Sequence, residues 1–182
     1  PMNSSAASDV YKRQVMFGLK DPFFPGFGNA TTSGGAPKIE KLSDCKNRTD
    51  QANSDCPDIS DSGWYIELDK QKKVTAEPTL TGNVVYYPVY KPSRSLTECG
   101  SGSAYICAYD ADCGKNISSD LGQNTAAGHT NENCYYVGTG VLSKIISFGT
   151  KLYANISGES TNIDKNDIVV INAINTCLLY TS

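Results

Sequence analysis

The chain holds a single histidine, His129, and no Cys-x-x-Cys pair, so the clustered ligands of a structural zinc site are missing from its 182 residues. No apolar run comes near the roughly eighteen residues that a membrane-spanning helix requires. Lysine and arginine number 16 against 19 acidic residues, for a net charge of -3. They do not gather among aromatics, so the basic stripe that neutralises phosphates is lacking, which argues against nucleic acid as a partner. No stretch keeps an apolar period of 3.6 for about ten residues, which removes helical architectures.

Cysteine, by contrast, is plentiful. There are seven, many for a reducing compartment. Cys45 and Cys56, Cys99 and Cys107, and Cys113 and Cys134 are spaced as loop-closing disulfides would be, and pairing of neighbours is the first guess among many connectivities. An oxidising compartment follows. The 39% of hydrophobic residues is enough for a packed core.

The apolar residues fall in short runs between loops rich in Gly, Ser, Asn, Asp and Pro, so the fold class is all-β. Strands are predicted at residues 15–18, 64–68, 104–111 and 168–173, with hairpins at 74–90 and 141–157. The two hairpins, VTAEPTLTGNVVYYPVY and VLSKIISFGTKLYANIS, superpose without a gap at an offset of 67: Gly82 falls on Gly149, Val85 on Leu152, Tyr86 on Tyr153 and Val89 on Ile156. Both glycines belong at the turn, where positive φ costs glycine nothing. Pro78 and Pro88 each remove a ladder donor and belong at an edge or beside a bulge.

Each hairpin is followed by one further strand, AYICAYDA or DIVVINAI. The unit of two strands, a variable loop and a third strand matches most of a propeller blade, which is buried on both faces and favours near-continuous apolar strands. The expected architecture is a partial β-propeller of about two blades with long disulfide-tied loops. The repeat of about 65 residues exceeds the usual blade, and its surplus lies in loops such as CGKNISSDLGQNTAAGHTNENC.

The opening SAASDVYKRQ and the closing CLLYTS read as translated sequencing-adapter sequence. Residues 1–14 and 177–182 are accordingly set apart as scars, Cys177 among them. Residues 15–176 are expected to be an internal piece of a longer protein.

Within that piece, GWYIEL, KVTAEPTLTGNVVYYPVYKPS, CGSGSAYICAYDADCG and CYYVGTGVLSKIISFGTKLYANISGES follow one another in order. This series resembles the C-terminal β-propeller of PilY-type (PilC-type) type IV pilus assembly and tip-adhesin proteins, and VMFGLKDPFFPGF looks like the strand and loop before it. The resemblance covers nearly all of residues 15–173. It implies a secreted bacterial protein of the periplasm, outer surface or pilus tip, active in pilus extension and surface attachment. Its partners would be pilus or minor pilin proteins and a host or surface ligand. It implies a binding and assembly module and no enzyme. Two other classes fit the same features: a propeller of a periplasmic quinoprotein-type dehydrogenase, whose blades also end in strands like AYDADCG, and a secreted carbohydrate-binding module.

No cofactor is evident. Some members of the family bind calcium in an Asp/Asn-rich propeller loop, and the nearest counterpart here is DADCGKNISSD, with Asp110, Asp112, Asn116 and Asp120 at alternating positions. Lys115 stands where a tight calcium loop wants glycine and Leu121 where it wants glutamate, so a polar turn is the plainer reading. The insert carrying Asp44, Asp50, Asp55, Asp58 and Asp61 reads as a solvated loop before it reads as a hard-cation site. His129 is expected to be exposed and without a catalytic role, since no nucleophile or orienting acid is visible beside it. Trp64 is expected to pack between blades with its N–H on a backbone acceptor. The Tyr residues of VVYYPVY and CYY should divide between interior and surface. The Asn-x-Ser/Thr sites at Asn29, Asn47, Asn116 and Asn155 would matter only in a eukaryotic secreted protein, and Asn155 lies in a predicted strand.

Overall fold

The computed structural model describes residues 13–20, 41–49, 55–58, 60–69, 71–93, 102–157 and 168–174. They form twelve strands: β1 (Val15–Leu19), β2 (Lys46–Asn47), β3 (Gly63–Glu67), β4 (Lys73–Val74), β5 (Thr79–Thr81), β6 (Val84–Pro92), β7 (Gly102–Asp110), β8 (Tyr135–Thr139), β9 (Val141–Leu142), β10 (Ile146–Phe148), β11 (Lys151–Ser157) and β12 (Ile168–Asn172). The protein is all-β, in three sheets. The first has the order β1-β3-β2. The second runs β4-β6-β7-β8 with β5 also on β6, and the third β10-β11-β12 with β9 also on β11. The described strands form neither a closed barrel nor a propeller, so of the expected architecture the all-β class holds and the partial propeller is not seen. No described helix is long and apolar enough to cross a membrane.

The duplicated hairpin is present in both copies and in separate sheets. Thr79 pairs with Tyr86 and Thr81 with Val84; at the offset of 67, Ile146 pairs with Tyr153 and Phe148 with Lys151. Gly82 and Gly149 hold the turns at φ 56 and 58, and Asn83 beside Gly82 also has positive φ, as a tight hairpin turn demands. One detail corrects the gapless alignment. Val74 pairs with Val89, but Ile156 takes Leu142 and not Val141, because the connector from β9 to β10 is one residue shorter than that from β4 to β5.

Pro88 sits inside β6 at the gap between the stretches paired to β4 and β5. Its counterpart Asn155 shows why proline fits there. The Asn155 amide has left the ladder and donates to the Ser143 hydroxyl at 3.0 Å, so a residue without an N–H loses only a side-chain contact.

Alternation along the central strands builds two cores. Tyr87, Val89, Tyr105, Cys107 and Tyr109 of the second sheet face Trp64, Ile66 and Leu68 at the first. Val84, Tyr86, Ala104, Ile106 and Ala108, one residue out of phase, face Leu142, Ile145, Leu152 and Ala154 at the third. The middle sheet is thus buried on both faces, and its strands read as nearly unbroken apolar runs for that reason. Further contacts join sheets two and three: Tyr86 Oη accepts from the Ile174 amide at 2.9 Å, Thr75 Oγ1 donates to the Leu142 carbonyl at 3.0 Å, and Lys144 pairs with Glu77 at 2.8 Å.

Trp64 is buried between sheets one and two and donates Nε1–H to the Ala111 carbonyl at 2.9 Å, as expected. Two glycines make room for its ring. A Cβ on Gly114 would lie 2.5 Å from Trp64 Cδ2, and one on Gly18 would overlap the same indole.

Candidate functional site

The long insert between β7 and β8 is where the structure departs most from the neighbour pairing of cysteines. The bonds are Cys107–Cys134 and Cys56–Cys113, which replace the expected Cys45–Cys56 and Cys113–Cys134 pairs. The cause is strand register. Ile106 pairs with Tyr135, so Cys107 and Cys134 are brought opposite each other, with Cα atoms 4.5 Å apart. Cys113, in the turn after β7, meets Cys56 on the loop entering β3. Cys45 is buried without a disulfide, and burial followed by the charges of Asp44 and Asp61 pushes its thiol pKa up. Cys99 lies outside the described residues, so its pairing with Cys107 is replaced by the observed Cys107–Cys134 bond.

Inside its anchors the insert turns back along the edge of β7. Tyr109 and Asn116 form an antiparallel bridge, and Ser118 Oγ accepts from the Ala108 amide at 2.9 Å and donates to the Ala108 carbonyl at 3.2 Å. This covers the part of the β7 edge that β8 leaves open. Asn124 clamps the far side, donating to the Cys134 carbonyl at 2.9 Å and accepting from the Tyr136 amide at 2.7 Å.

Between this folded insert and the first sheet lies an open cleft of about 770 Å³. Its walls include Arg13, Glu67, Gln123, Thr130, Asn133 and Tyr135. Charge in the cleft is paired off: Arg13 meets Glu67 at 3.0 Å, and Lys72 lies between Asp69 at 3.1 Å and Glu132 at 2.7 Å. Glu132 also pairs with Lys91. The Lys72 side chain is only 8% exposed. Burial pulls its pKa down, but the hydrogen bond and charge of Glu132, with Asp69 behind them, overcome that and leave it raised. Glu132 balances the opposite way: burial pushes its carboxyl up, and the hydrogen bonds and charges of Lys72 and Lys91 bring it below the ordinary value.

His129 is not the exposed residue that its polar loop suggested. It is half-buried, its ring stacks on Tyr136 with centroids 3.8 Å apart, and Nδ1 lies 2.8 Å from Tyr105 Oη. Lys72 Nζ stands 5.9 Å over the Tyr105 ring. Tyr105 is raised chiefly by burial. Behind it Tyr87 and Tyr109 stack at 5.5 Å, and burial raises both, Tyr87 the more strongly.

The four residues of the calcium reading are each engaged in local hydrogen bonds. Asp110 Oδ1 accepts from the amides of Asp112 and Cys113 at 3.0 and 2.7 Å. Asp112 accepts from Asn83 at 3.1 Å, Asn116 donates to the Asn133 carbonyl at 2.8 Å, and Asp120 accepts from Ser119 at 3.3 Å. In the Asp-rich loop, Asp58 accepts from the Ser60 amide at 2.8 Å and Asp61 from the Asp58 amide at 3.0 Å. The hydrogen bonds that the Asp58 carboxyl accepts from the Ser60 hydroxyl, and then from the Ser60 amide, hold it below the ordinary carboxylate value. Asp50 and Asn29 lie outside the described residues. Among the described residues no group of three or more His, Cys, Asp or Glu side chains converges as a metal site would.

Sequence reasoning missed the Lys72–Glu132–Lys91 cluster. Nothing in the local sequence marks it, because its members come from the turn before β4, the end of β6 and the insert. Together these features give an all-β fold with a polar cleft walled by the insert and framed by two disulfides. No protein-family model, no curated protein and no solved structure matches the chain.

Proposed function

We propose that the chain is a non-catalytic binding and assembly module of a type IV pilus biogenesis and adhesion protein, built as part of a β-propeller and working outside the cytoplasm. The observation that carries this reading is the middle sheet. It has five strands, is buried on both faces, and is flanked by a sheet that repeats its hairpin, an arrangement that stacked blades would also use. The two disulfides suit an extracellular protein. A long loop fixed at both ends on such a stack offers a rigid contact surface, and the insert supplies one. Minor pilins and a host or surface ligand are the proposed partners. A second reading, a carbohydrate-binding module, is favoured by the cleft itself, where the half-buried Tyr135 stands among amide, hydroxyl and charged side chains.

Calorimetric titration of the disulfide-intact chain with purified minor pilins, and separately with oligosaccharides, tests both. Saturable pilin binding that is lost on Tyr135→Ala supports the first reading. Binding of oligosaccharide alone transfers the site to the second. Absence of both overturns the cleft as a binding site.

A further inference from the structure

The third sheet presents an outer face that the repeat marks as unfinished. By the register of the two copies, Val170 of β12 corresponds to Ala108 of β7 and Ile168 to Ile106: Tyr86 pairs with Ala108 as Tyr153 pairs with Val170, and Pro88 with Ile106 as Asn155 with Ile168. Ile106 and Ala108 are 1% and 0% exposed, because the third sheet lies over them. Their counterparts Ile168 and Val170 are 55% and 49% exposed. On the same face, Ile146 and Phe148 of β10 are 62% and 78% exposed. The contiguous row Ile146, Tyr153 and Val170 crosses three strands. Apolar faces of this kind mark contact surfaces.

The established interface states what should cover it. Sheet three meets sheet two with Leu152, Ala154 and Ile156, the counterparts of Val85, Tyr87 and Val89, and those in turn face sheet one. Each sheet therefore turns one set of alternate residues to the sheet before it and the opposite set to the sheet after it. Among the described residues, the face left to continue that order is the outer side of sheet one. There Phe17 and Leu19 are 45% and 58% exposed, with Tyr65 against Phe17 at 6.3 Å. The third sheet's outer face carries this apolar row beside Lys151, Asn155 and Asn172, and the first sheet's carries Phe17, Leu19 and Tyr65 beside Glu67; neither end has the polar outer face of a capping repeat.

We propose that the outer face of the third sheet docks the outer face of the first sheet of a second copy, so that copies stack head to tail and continue the sheet order. The contact is heterologous, pairing two different surfaces, and propagates until a ring closes or a partner lacks one face. This stacking follows from the repeat geometry, whatever the protein's role in a pilus.

The test is sedimentation velocity of the intact chain from micromolar to millimolar concentration, with Phe148→Glu, Val170→Glu and Phe17→Glu variants. All three positions are exposed, and unchanged far-ultraviolet circular dichroism and melting temperature report that each variant folds. The parent chain is expected to associate with concentration. Each variant should weaken association by about 30-fold or more, as loss of an apolar anchor at an interface does. An equimolar mixture of Phe148→Glu and Phe17→Glu, each keeping one good face, should give a dimer and nothing larger. A parent chain that stays monomeric throughout overturns the proposal, including the case in which another polypeptide covers the face. So does a Phe17→Glu variant that still dimerises, which would mean that the third sheet pairs with itself, and so does a mixture that stays monomeric.

Discussion

Replacing Glu132 by glutamine removes the one charge that Lys72 and Lys91 share while keeping the shape of the side chain. The Lys72 ammonium, 8% exposed, is then left with Asp69 alone, whose side chain is 77% exposed and well solvated. Taking one partner from a buried pair costs about 3–5 kcal/mol, because the remaining charge keeps its desolvation penalty. Here Asp69 stays in place and Lys91, 37% exposed, can turn to water. The expected loss is accordingly about 2–4 kcal/mol at neutral pH, or about 5–15 °C in melting temperature for a chain of this size. The pH dependence separates charge from shape. Glu132 has a lowered pKa in the fold, so its contribution is full above the unfolded value near 4.3 and disappears as pH falls through the lower folded value. Lys72 has a raised pKa, so its contribution is full below about 10.4 and is lost as pH rises through the folded value. Urea denaturation of both proteins across pH should therefore show a gap that is widest between those limits and closes beyond either. Equal midpoints at pH 7, or a gap that persists unchanged into strong acid, would refute the account.

Other consequences follow from the same contacts. The Cys107–Cys134 and Cys56–Cys113 bonds close chain separations of 27 and 57 residues, so replacing either pair by alanine should cost about 3.5 and about 4 kcal/mol respectively, read as a fall in the denaturation midpoint. Gly114→Ala places a Cβ 2.5 Å from the Trp64 ring at a φ of +67; a loss of about 2–4 kcal/mol with a changed tryptophan emission is expected, and an unperturbed spectrum would remove the ring-contact argument. Tyr86, Tyr87, Tyr105 and Tyr109 keep their protons in the fold beyond the ordinary tyrosine value. The native state then binds more protons than the unfolded one, so stability should fall as pH rises above about 10. Ultraviolet difference absorbance should show these four titrating later than the exposed phenols, and a single transition for all tyrosines would count against their burial.

Local composition by itself determined that this is a β protein with a duplicated hairpin. β-branched and aromatic residues in short runs choose a pleated surface wherever they are placed. Glycine at an offset of 67 marked both turns, since the backbone there adopts φ of 56 and 58, which glycine takes without strain, and the packing of Trp64 followed from its size and its single donor. What only the tertiary structure decided were the relations between distant parts. The cysteine pairing went against sequence proximity because β7 and β8 come together across the insert, and register then chose Cys134 for Cys107. β8 itself was not legible, since YYVGT owes its strand to the edge of β7 as much as to its own residues. The ion cluster was hidden for the same reason: Lys72, Lys91 and Glu132 are unremarkable charges in sequence, and only burial beneath a folded insert makes them depend on one another. Periodicity and propensity act over a few neighbours, whereas desolvation and charge pairing depend on what the rest of the chain brings close.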